Sequence, residues 1–508
     1  MLDKPSFPYG AGFRSLTVEI AEPVALPVTG ALPSWLKGAL LRTGPSKFEV
    51  GARTYNHWFD GLAMLHRFAF AGGRVSYANR FLESKAFRAA AETGKISYAE
   101  FATDPCRTMF GRVAAIFDPK LTDNCCVNVS DYARDAVAFT ETSMPMRFSS
   151  DTLKTLGVFA YRRALKGQVS TAHPHYDAKR ACHYNYIVHF GMKSLYRLCR
   201  IGDDGKQRVV AKLPVERPAY MHSFGMSQDH LVLTEFPLVV NPLDLRLSGK
   251  PFIQNYRWEP ERGLVFHIVE KDTGKLVRTA MADASFAFHH VNAFADGDRL
   301  AVDVIVYPDA TIIDQLYLAR LRSSAPITAT GTLTRFHIPF ASDAPVTRRT
   351  LADMPLELPR INYESCAGKP YRYVWGTGVQ TKGDFLDSIV KIDTETGTVA
   401  TWHAAGLYPG LRPLAFRQNR RRWRVAVDRA RHRQGSLLPA RARSGEFEGA
   451  GTGGSPTRHP LPLPRQLLSK CARGRLDLNA PVADIPLEIQ GSSLIRAAAL
   501  NMISLLPF

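Results

Sequence analysis

The sequence has no long apolar run, few cysteines and no CxxC pair. Within its 508 residues, no uninterrupted apolar stretch reaches the roughly 18 residues of a membrane-spanning helix. The first residues, "MLDKPSFPYGAGF", lack a basic region followed by an apolar region, so we expect no signal peptide. The seven cysteines are odd in number and scattered, which indicates free thiols in a reducing compartment. These absences predict a cytoplasmic protein without a spanning helix.

Two kinds of recognisable pattern are also missing. No WD or kelch-like repeat is present, so the number of repeating units cannot be taken from periodicity. No carboxylate shares the histidine spacing of a HExxH metalloprotease or of a site with two histidines and one carboxylate. Any metal site must therefore be assembled from separate segments.

The net charge of +19 comes largely from one segment. Residues 411–465 contain thirteen arginines, no lysine and three acids, and so supply ten of the nineteen positive charges. The remaining excess is spread thinly along the chain, and we do not expect a nucleic-acid partner.

From about residue 15 to 410 the chain consists of short apolar and aromatic runs separated by turn signals. Examples are "RVSYANRFL", "HYNYIVHF" and "RLAVDVIVY", with turns such as "GDDG" and "ADGD". Such spacing predicts an all-β fold, and over this length a β-propeller is favoured because one sandwich would be too small. The segment "KISYAEFATDPCRTMFGRVAAIF" is predicted to be helical and could cap one face.

Histidines occur in four neighbourhoods of this pattern. These are "YNHWFDGLAMLHRF", "STAHPHYD", "AYMHSFGMSQDHLVLTEFPL" and "FAFHHVNAF". Most buried histidines are hydrogen-bonded core residues, so the residues alone leave both a core role and a multi-histidine metal site open. The adjacent pair His289 and His290 would point to opposite faces of a strand, so only one could face a given site.

Ten segments, in order, resemble the carotenoid cleavage oxygenase family, which includes retinal pigment epithelial proteins, apocarotenoid oxygenases and stilbene-cleaving enzymes. They include "LPSWLKGALLRTGPSKFE", "HWFDGLAMLHRF", "TDNCCVNV", "TAHPHYD", "FHHVNAF" and "LELPRINYESCAGKPYRYVWG". The resemblance covers residues from about 30 to 410. It implies a seven-bladed β-propeller with a helical cap over an Fe²⁺ ion that four histidines hold on the axis.

Three of the four ligands can be carried over to this chain. His173 matches the first ligand and His222 the second. His289 matches the third, because the family pattern F-H-x-x-N reads Phe288-His289-His290-Val291-Asn292 here. The resemblance therefore implies that His289 faces the metal and that His290 is a structural neighbour. His57, His66 and His175 are expected to be structural or to face the substrate.

Two glutamates match residues that the family places behind its ligands. A metal-bound imidazole donates its other N–H, and a carboxylate there fixes the ring orientation and tautomer. Glu141 in "AFTET" and Glu357 in "LELPRINY" match two of the family's three such glutamates. We expect Glu141 to bond His222 and Glu357 to bond His289, within a tunnel that carries few charges.

The implied activity is a non-haem iron dioxygenase that uses O₂ to split a carotenoid or apocarotenoid double bond into two carbonyl products. The alternatives are a stilbenoid dioxygenase and a catalytically impaired propeller that lacks its fourth ligand. The implied partners are an apolar polyene and O₂, and a peripheral membrane contact could deliver the substrate.

The resemblance stops at Leu411. The family continues "YPG" with Glu-Pro, supplying the third glutamate, and later provides the fourth histidine in a segment like P-F-x-F-H-G. Neither is present here. We therefore divide the chain into a propeller at 1–410 with an incomplete last blade and an atypical Arg/Pro/Gly-rich tail at 411–508. The tail is predicted to be poorly ordered and to result from a frame slip. A genuine divergent tail and a three-histidine homologue are the alternatives.

Overall fold

The computed structural model describes residues 8–28, 30–105, 121–323, 325–341 and 344–409, and the backbone of 415–417 and 423–425. Within these ranges strands dominate, and the reason is visible in their side chains. In the strand Ser194–Ile201, Ser194, Tyr196 and Leu198 are buried while Leu195 and Arg197 between them are partly exposed, as expected for a sheet with one face better covered than the other. The all-β class predicted from the sequence is confirmed.

Six antiparallel sheets of four or five strands make up most of this part of the chain. The first three contain β1 (Val24–Leu26), β2 (Gly38–Lys47), β5 (Leu62–Ala71) and β6 (Arg74–Phe81); β7 (Asn128–Tyr132), β8 (Asp135–Phe139), β9 (Met146–Phe148) and β10 (Thr155–Val158); and β11 (Val169–Ser170), β12 (His175–Asp177), β13 (Cys182–His189), β14 (Ser194–Ile201) and β15 (Gln207–Val215). The next three contain β16 (Gly225–Met226), β17 (His230–Glu235), β20 (Leu264–Glu270) and β21 (Leu276–Ala282); β22 (His290–Asp296), β23 (Arg299–Val306), β24 (Thr332–Pro339) and β25 (Thr347–Pro355); and β26 (Glu357–Arg360), β27 (Tyr373–Gly378), β28 (Ser388–Asp393) and β29 (Val399–His403).

Three short strand pairs lie outside these sheets. They are β3 (Glu49–Val50) with β4 (Arg53–Thr54), β18 (Leu238–Val239) with β19 (Arg257–Trp258), and β30 (Ala415–Arg417) with β31 (Trp423–Val425).

The sheets are arranged as blades of a β-propeller. The innermost strands of neighbouring sheets lie side by side, namely β2 with β7, β16 with β22, and β22 with β26. Phe266 of the fourth blade and Phe336 of the fifth are both fully buried, with ring centroids 5.2 Å apart. The buried Asp303 of the fifth blade accepts two hydrogen bonds from Arg335 of the same blade and one from Tyr371, which lies between β26 and β27 of the sixth blade. Apolar packing and buried polar contacts therefore both join the blades.

Six blades lie within the described residues, whereas the family resemblance implies seven. Of the residues after 409, only the backbone of β30 and β31 is described, and β30 lies beside β2 of the first blade. The seventh blade and the domain boundary at 410 stay predictions, and the predicted tail at 411–508 falls almost entirely outside the described residues.

Within the described ranges, the helices are few and short. They are α1 (Lys85–Thr93), α2 (Pro242–Leu247), α3 (Thr311–Gln315), α4 (Leu318–Leu321) and α5 (Tyr363–Cys366), with 3₁₀ turns at Pro8–Phe13, Trp58–Asp60, Phe252–Asn255 and Pro260–Arg262. Ser84 caps the first turn of α1 by accepting a hydrogen bond from the Phe87 N–H, and Gly94 ends the helix with a φ of 63°.

The segment predicted to be a helical cap is only partly described. Residues 95–105 form bends and irregular backbone, so this part of the prediction is wrong, and residues 106–120 lie outside the described ranges. Two buried hydrogen bonds hold residues 102 and 103 of this irregular backbone in place. Asp60 accepts both, one from the Ala102 N–H and one from the Thr103 hydroxyl. Within the described ranges, none of the helices has the length and apolar character that crossing a membrane requires. A peripheral membrane contact stays a prediction.

Candidate metal centre

The three histidines predicted as ligands occupy equivalent places in three successive blades. His173 lies between β11 and β12, His222 precedes β16, and His289 directly precedes β22. Each of these positions leads into an innermost strand of its blade. Because innermost strands surround the propeller axis, side chains at their starts can meet near that axis.

The structure brings these three side chains together. One ring nitrogen from each of His173, His222 and His289 lies within 4.8 Å of the corresponding atoms of the other two. The Nε2 atoms of His173 and His222 are 2.9 Å apart. The ring centroids of His289 lie 5.3 Å and 5.1 Å from those of His173 and His222. Three imidazole nitrogens at this spacing are arranged as a metal could use them.

Two carboxylates hold the outer nitrogens of this cluster. The Nδ1 atom of His222 lies 2.5 Å from Glu141 Oε1, and the Nδ1 atom of His289 lies 2.6 Å from Glu357 Oε2. These are the two pairs that the sequence predicts. A neutral imidazole has one N–H, and donating it to the carboxylate leaves a lone pair on Nε2. The carboxylates thereby direct the Nε2 lone pairs of His222 and His289 towards the centre.

Each carboxylate also accepts a hydrogen bond from a buried tyrosine. The Tyr220 hydroxyl lies 3.1 Å from Glu141 Oε1, and the Tyr307 hydroxyl donates to Glu357 Oε1 at 2.9 Å. The sequence analysis missed both tyrosines. Tyr220 stands two residues before His222 in "YMHSF", which is a usable signal, but Tyr307 lies far from its partners in sequence. A tyrosine behind each glutamate restricts the carboxylate to one orientation.

Burial and hydrogen bonding set the charge state of the Glu357–His289 pair. Burial lowers the pKa of His289, and Glu357 opposes this shift only in part. Burial alone would raise the pKa of Glu357, but His289 and hydrogen bonds from the Leu358 N–H and the Tyr307 hydroxyl lower it below its usual value. The result is an ionised carboxylate beside a neutral imidazole, which is the form of histidine that binds metals.

The second histidine of the adjacent pair points away from this centre. His290 is buried, and its two ring nitrogens lie 2.9 Å from the Ser223 hydroxyl and 2.8 Å from the Thr234 hydroxyl. Burial lowers its pKa to about 3, so the ring is neutral. Both nitrogens are used within the fold, as expected for a structural histidine on the opposite face from His289.

The other histidines from the sequence analysis also have hydrogen-bond partners. His57 contacts the Ile313 carbonyl at 3.0 Å, His66 the Tyr77 hydroxyl at 2.8 Å, and His175 the Phe224 carbonyl at 2.8 Å. Of these three, only His66 lines the cavity described next. In the described part of the chain, the group of converging histidines has three members.

The three histidines open into a cavity of about 580 Å³. Aromatic rings cover them, with Phe288 and Phe59 centred 5.6 Å and 6.4 Å from the His222 ring. The cavity as a whole is more charged than the sequence predicts. Its lining includes three exposed cations, Arg14, Arg246 and Lys250, and three charged or ionisable side chains that are less exposed, Arg42, Glu100 and Arg360.

Comparisons with known proteins identify the relatives of this chain. The profile of the family described as retinal pigment epithelial membrane protein matches residues 13–410. The chain is 33% identical to a carotenoid isomerooxygenase of Galleria mellonella over 436 residues, covering 80% of this chain and 84% of the relative. It is 32% identical to the human β,β-carotene 15,15'-dioxygenase over 450 residues, covering 77% of this chain and 81% of the relative.

A solved structure with the same fold is a chimera of apocarotenoid oxygenase (ACO) and RPE65. It superimposes with a TM-score of 0.69 at 25% identity, covering 79% of this chain and 84% of the chimera.

Proposed function

Because the chain belongs to the family described as retinal pigment epithelial membrane protein, we propose that it is an Fe²⁺-dependent dioxygenase acting on a carotenoid or apocarotenoid. The reaction is cleavage of one conjugated C=C bond by O₂ to give two carbonyl products. The convergence of His173, His222 and His289 is the observation that carries this proposal. The names of the two relatives supply the substrate class and favour a carotenoid over a stilbenoid.

The donor set fits ferrous iron. Imidazole nitrogens bind Fe²⁺ well, and neutral ligands leave the positive charge of the ion uncompensated. His222 and His289 present Nε2 lone pairs because their Nδ1–H groups donate hydrogen bonds to Glu141 and Glu357. When bound, iron would supply the activation of O₂.

The protein's own residues position and enclose the substrate. Phe59 and Phe288 lie against the histidines and offer an apolar surface on which a flat polyene can lie. The Glu–Tyr pairs behind the ligands fix the direction in which each imidazole points. No side chain is needed as a general acid or base, and none is assigned.

We further propose that residues after 409 begin a seventh blade, which the chain as written leaves without the fourth histidine. The position of the β30 backbone beside β2 supports this, because a last blade must lie next to the first. The short helices α2 and α3 also border the cavity, which supports a cap over the same end of the propeller.

The proposed function is tested by measuring three quantities on one purified preparation. Iron content after anaerobic loading with Fe²⁺, O₂ uptake and the product aldehydes are compared for β-carotene, an apocarotenal and a hydroxylated stilbene. We expect bound iron and aldehydes from a carotenoid or apocarotenoid. Iron binding with aldehydes from the stilbene alone would assign the chain to the alternative substrate class, and absence of iron binding would refute the metal centre.

Replacing Glu357 with glutamine is expected to lower iron affinity or turnover by about 10–100-fold. The neutral amide is a weaker acceptor for the His289 Nδ1–H than the negatively charged carboxylate. Tyr307→Phe should cost only a few-fold, since it removes one hydrogen bond worth roughly 1 kcal/mol. The matched control is Glu364→Gln, at an exposed glutamate in α5. Iron titration and steady-state rates measure all three variants. Equal behaviour of the Glu357 and Glu364 variants would contradict the role given to Glu357.

A further inference from the structure

The cavity contains a second polar feature besides the histidines, the guanidinium of Arg360. Arg360 is the last residue of β26, the strand that begins with Glu357, and its side chain lines the cavity. Three residues of extended strand span about 10 Å, so Arg360 lies within that distance of Glu357 along the strand. A cation is thus placed near the metal centre on the same strand that orients His289.

Arg360 has no carboxylate partner among the described residues. Its Nε atom is shielded from solvent and has no hydrogen-bond partner in this part of the chain. Glu357 does not fill this role, because its Oε1 accepts the Tyr307 hydroxyl and its Oε2 accepts His289 and the Leu358 N–H. Burial lowers the pKa of Arg360, and the phenol of Tyr363 opposes this shift in part.

Three other largely enclosed cations among the described residues have partners. Arg335 makes two hydrogen bonds to Asp303, and Lys271 contacts Asp177 at 2.9 Å. Arg278 also has an Nε without a partner among the described residues, but its two terminal nitrogens donate to backbone carbonyls, whereas the terminal nitrogens of Arg360 make no hydrogen bond or ion pair to the described residues. An enclosed cation without such partners is costly, because it loses hydration and gains little in return. A guanidinium in this condition has donors available for an acceptor that enters the cavity.

We propose that Arg360 binds the oxygen-bearing end of the polyene substrate, a carboxylate or carbonyl group. This inference rests on the proposed function and adds the substrate class: an apocarotenoid with a terminal oxygen rather than a hydrocarbon carotene. When Arg360 holds the end group, it fixes how far the polyene extends past the three histidines. Arg360 is therefore a specificity-determining residue that selects which double bond lies at the centre.

The test measures ligand binding and does not depend on turnover. Quenching of tryptophan fluorescence is followed during titration with an apocarotenoic acid, the matching aldehyde and β-carotene, since Trp58 also lines the cavity. Arg360→Met should weaken binding of the acid by about 30-fold or more and of the aldehyde by about 10-fold, with β-carotene changed less than about twofold. Arg360→Lys should retain part of the preference for the acid. The matched control is Arg349→Met, at an exposed arginine on β25.

The outcomes separate this proposal from the proposed function. Equal weakening of all three ligands, or no change in any, would overturn the role of Arg360 even if the protein binds iron and cleaves a carotenoid. Selective loss of acid binding would support it even in a preparation that turns nothing over. Thermal unfolding gives a further check, because removing an unpaired buried charge should leave the melting temperature unchanged or raise it. A marked drop would show that Arg360 has a protein partner and would also overturn the proposal.

Discussion

Replacing His289 with alanine is expected to abolish iron binding and cleavage together, whereas replacing the adjacent His290 with glutamine should leave iron binding nearly intact. His289 contributes one of three converging nitrogens and is held by Glu357. Losing a residue that merely supports a ligand typically costs 10–100-fold in metal affinity or activity, so losing a ligand should cost at least about 100-fold. Iron content per chain after Fe²⁺ titration, measured with the rate of aldehyde formation, gives the comparison.

The His290 variant is expected to show its effect in stability instead. Its ring nitrogens contact Ser223 and Thr234, and Thr234 belongs to the preceding blade. Disturbing a buried, hydrogen-bonded ring of this kind should lower the free energy of unfolding by about 1–3 kcal/mol. Thermal or denaturant unfolding of the iron-free protein reports that loss. A His290 variant that loses iron while folding normally, or a His289 variant that keeps it, would reverse the assignment of the two histidines.

The two adjacent histidines show how far sequence reasoning reaches. Strand alternation predicts that they face opposite sides, and the structure places them so. Alternation does not say which one faces the axis, because that depends on how the fourth and fifth blades pack. The family pattern around Asn292 supplied that choice. The Asn292 amide donates to the Cys366 and Lys369 carbonyls and so fixes the start of β22 relative to the segment between β26 and β27 of the sixth blade.

Other features of the site depend on contacts that single-sequence patterns do not encode. Tyr307 reaches Glu357 from 50 positions earlier in the chain, and Arg360 stands out because its Nε atom has no hydrogen-bond partner among the described residues. The all-β class follows from short alternating runs, but the blade count does not, since no repeat marks the blades. The segment at residues 95–105 has a helix-like composition, yet its backbone is irregular, and Asp60 holds Ala102 and Thr103 within it through hydrogen bonds.

Restoring a shifted reading frame after Gly410 is expected to produce the largest gain in iron binding and activity. The family profile ends at residue 410, where the arginine-rich segment begins. If each codon of Arg458 to Leu467 is regrouped one base later, the allowed translations include Ala-Ile-Pro-Phe-x-Phe-His-Gly-Asn. That string contains a histidine in the context implied for the fourth ligand, in the codon that spans Pro464 and Arg465.

The same shift changes the character of the preceding segment. Regrouping the codons of Arg420 to Asp428 gives an unambiguous glycine where Trp423 meets Arg424, and it allows an acidic turn before and an apolar run after. A turn followed by an apolar run is what a further strand requires, whereas the chain as written has arginines there. GC-rich codons read out of frame also yield arginine in excess. Codon degeneracy makes each fit weak by itself, but both occur in the same frame and in the order that a last blade needs.

Two measurements decide the question. The gene should be resequenced between the codons of Gly410 and Arg420. We expect the written reading to carry one extra base, or to lack two bases, compared with a gene that encodes the family's last blade. A gene encoding the shifted frame should yield protein with a fourth histidine, whose iron affinity exceeds that of the written chain by at least about 100-fold, because a ligand and a closing blade are regained together. A confirmed in-frame sequence, with protein of 56.4 kDa that binds one iron per chain as tightly as the frame-shifted version, would show that three histidines suffice and that the tail is genuine.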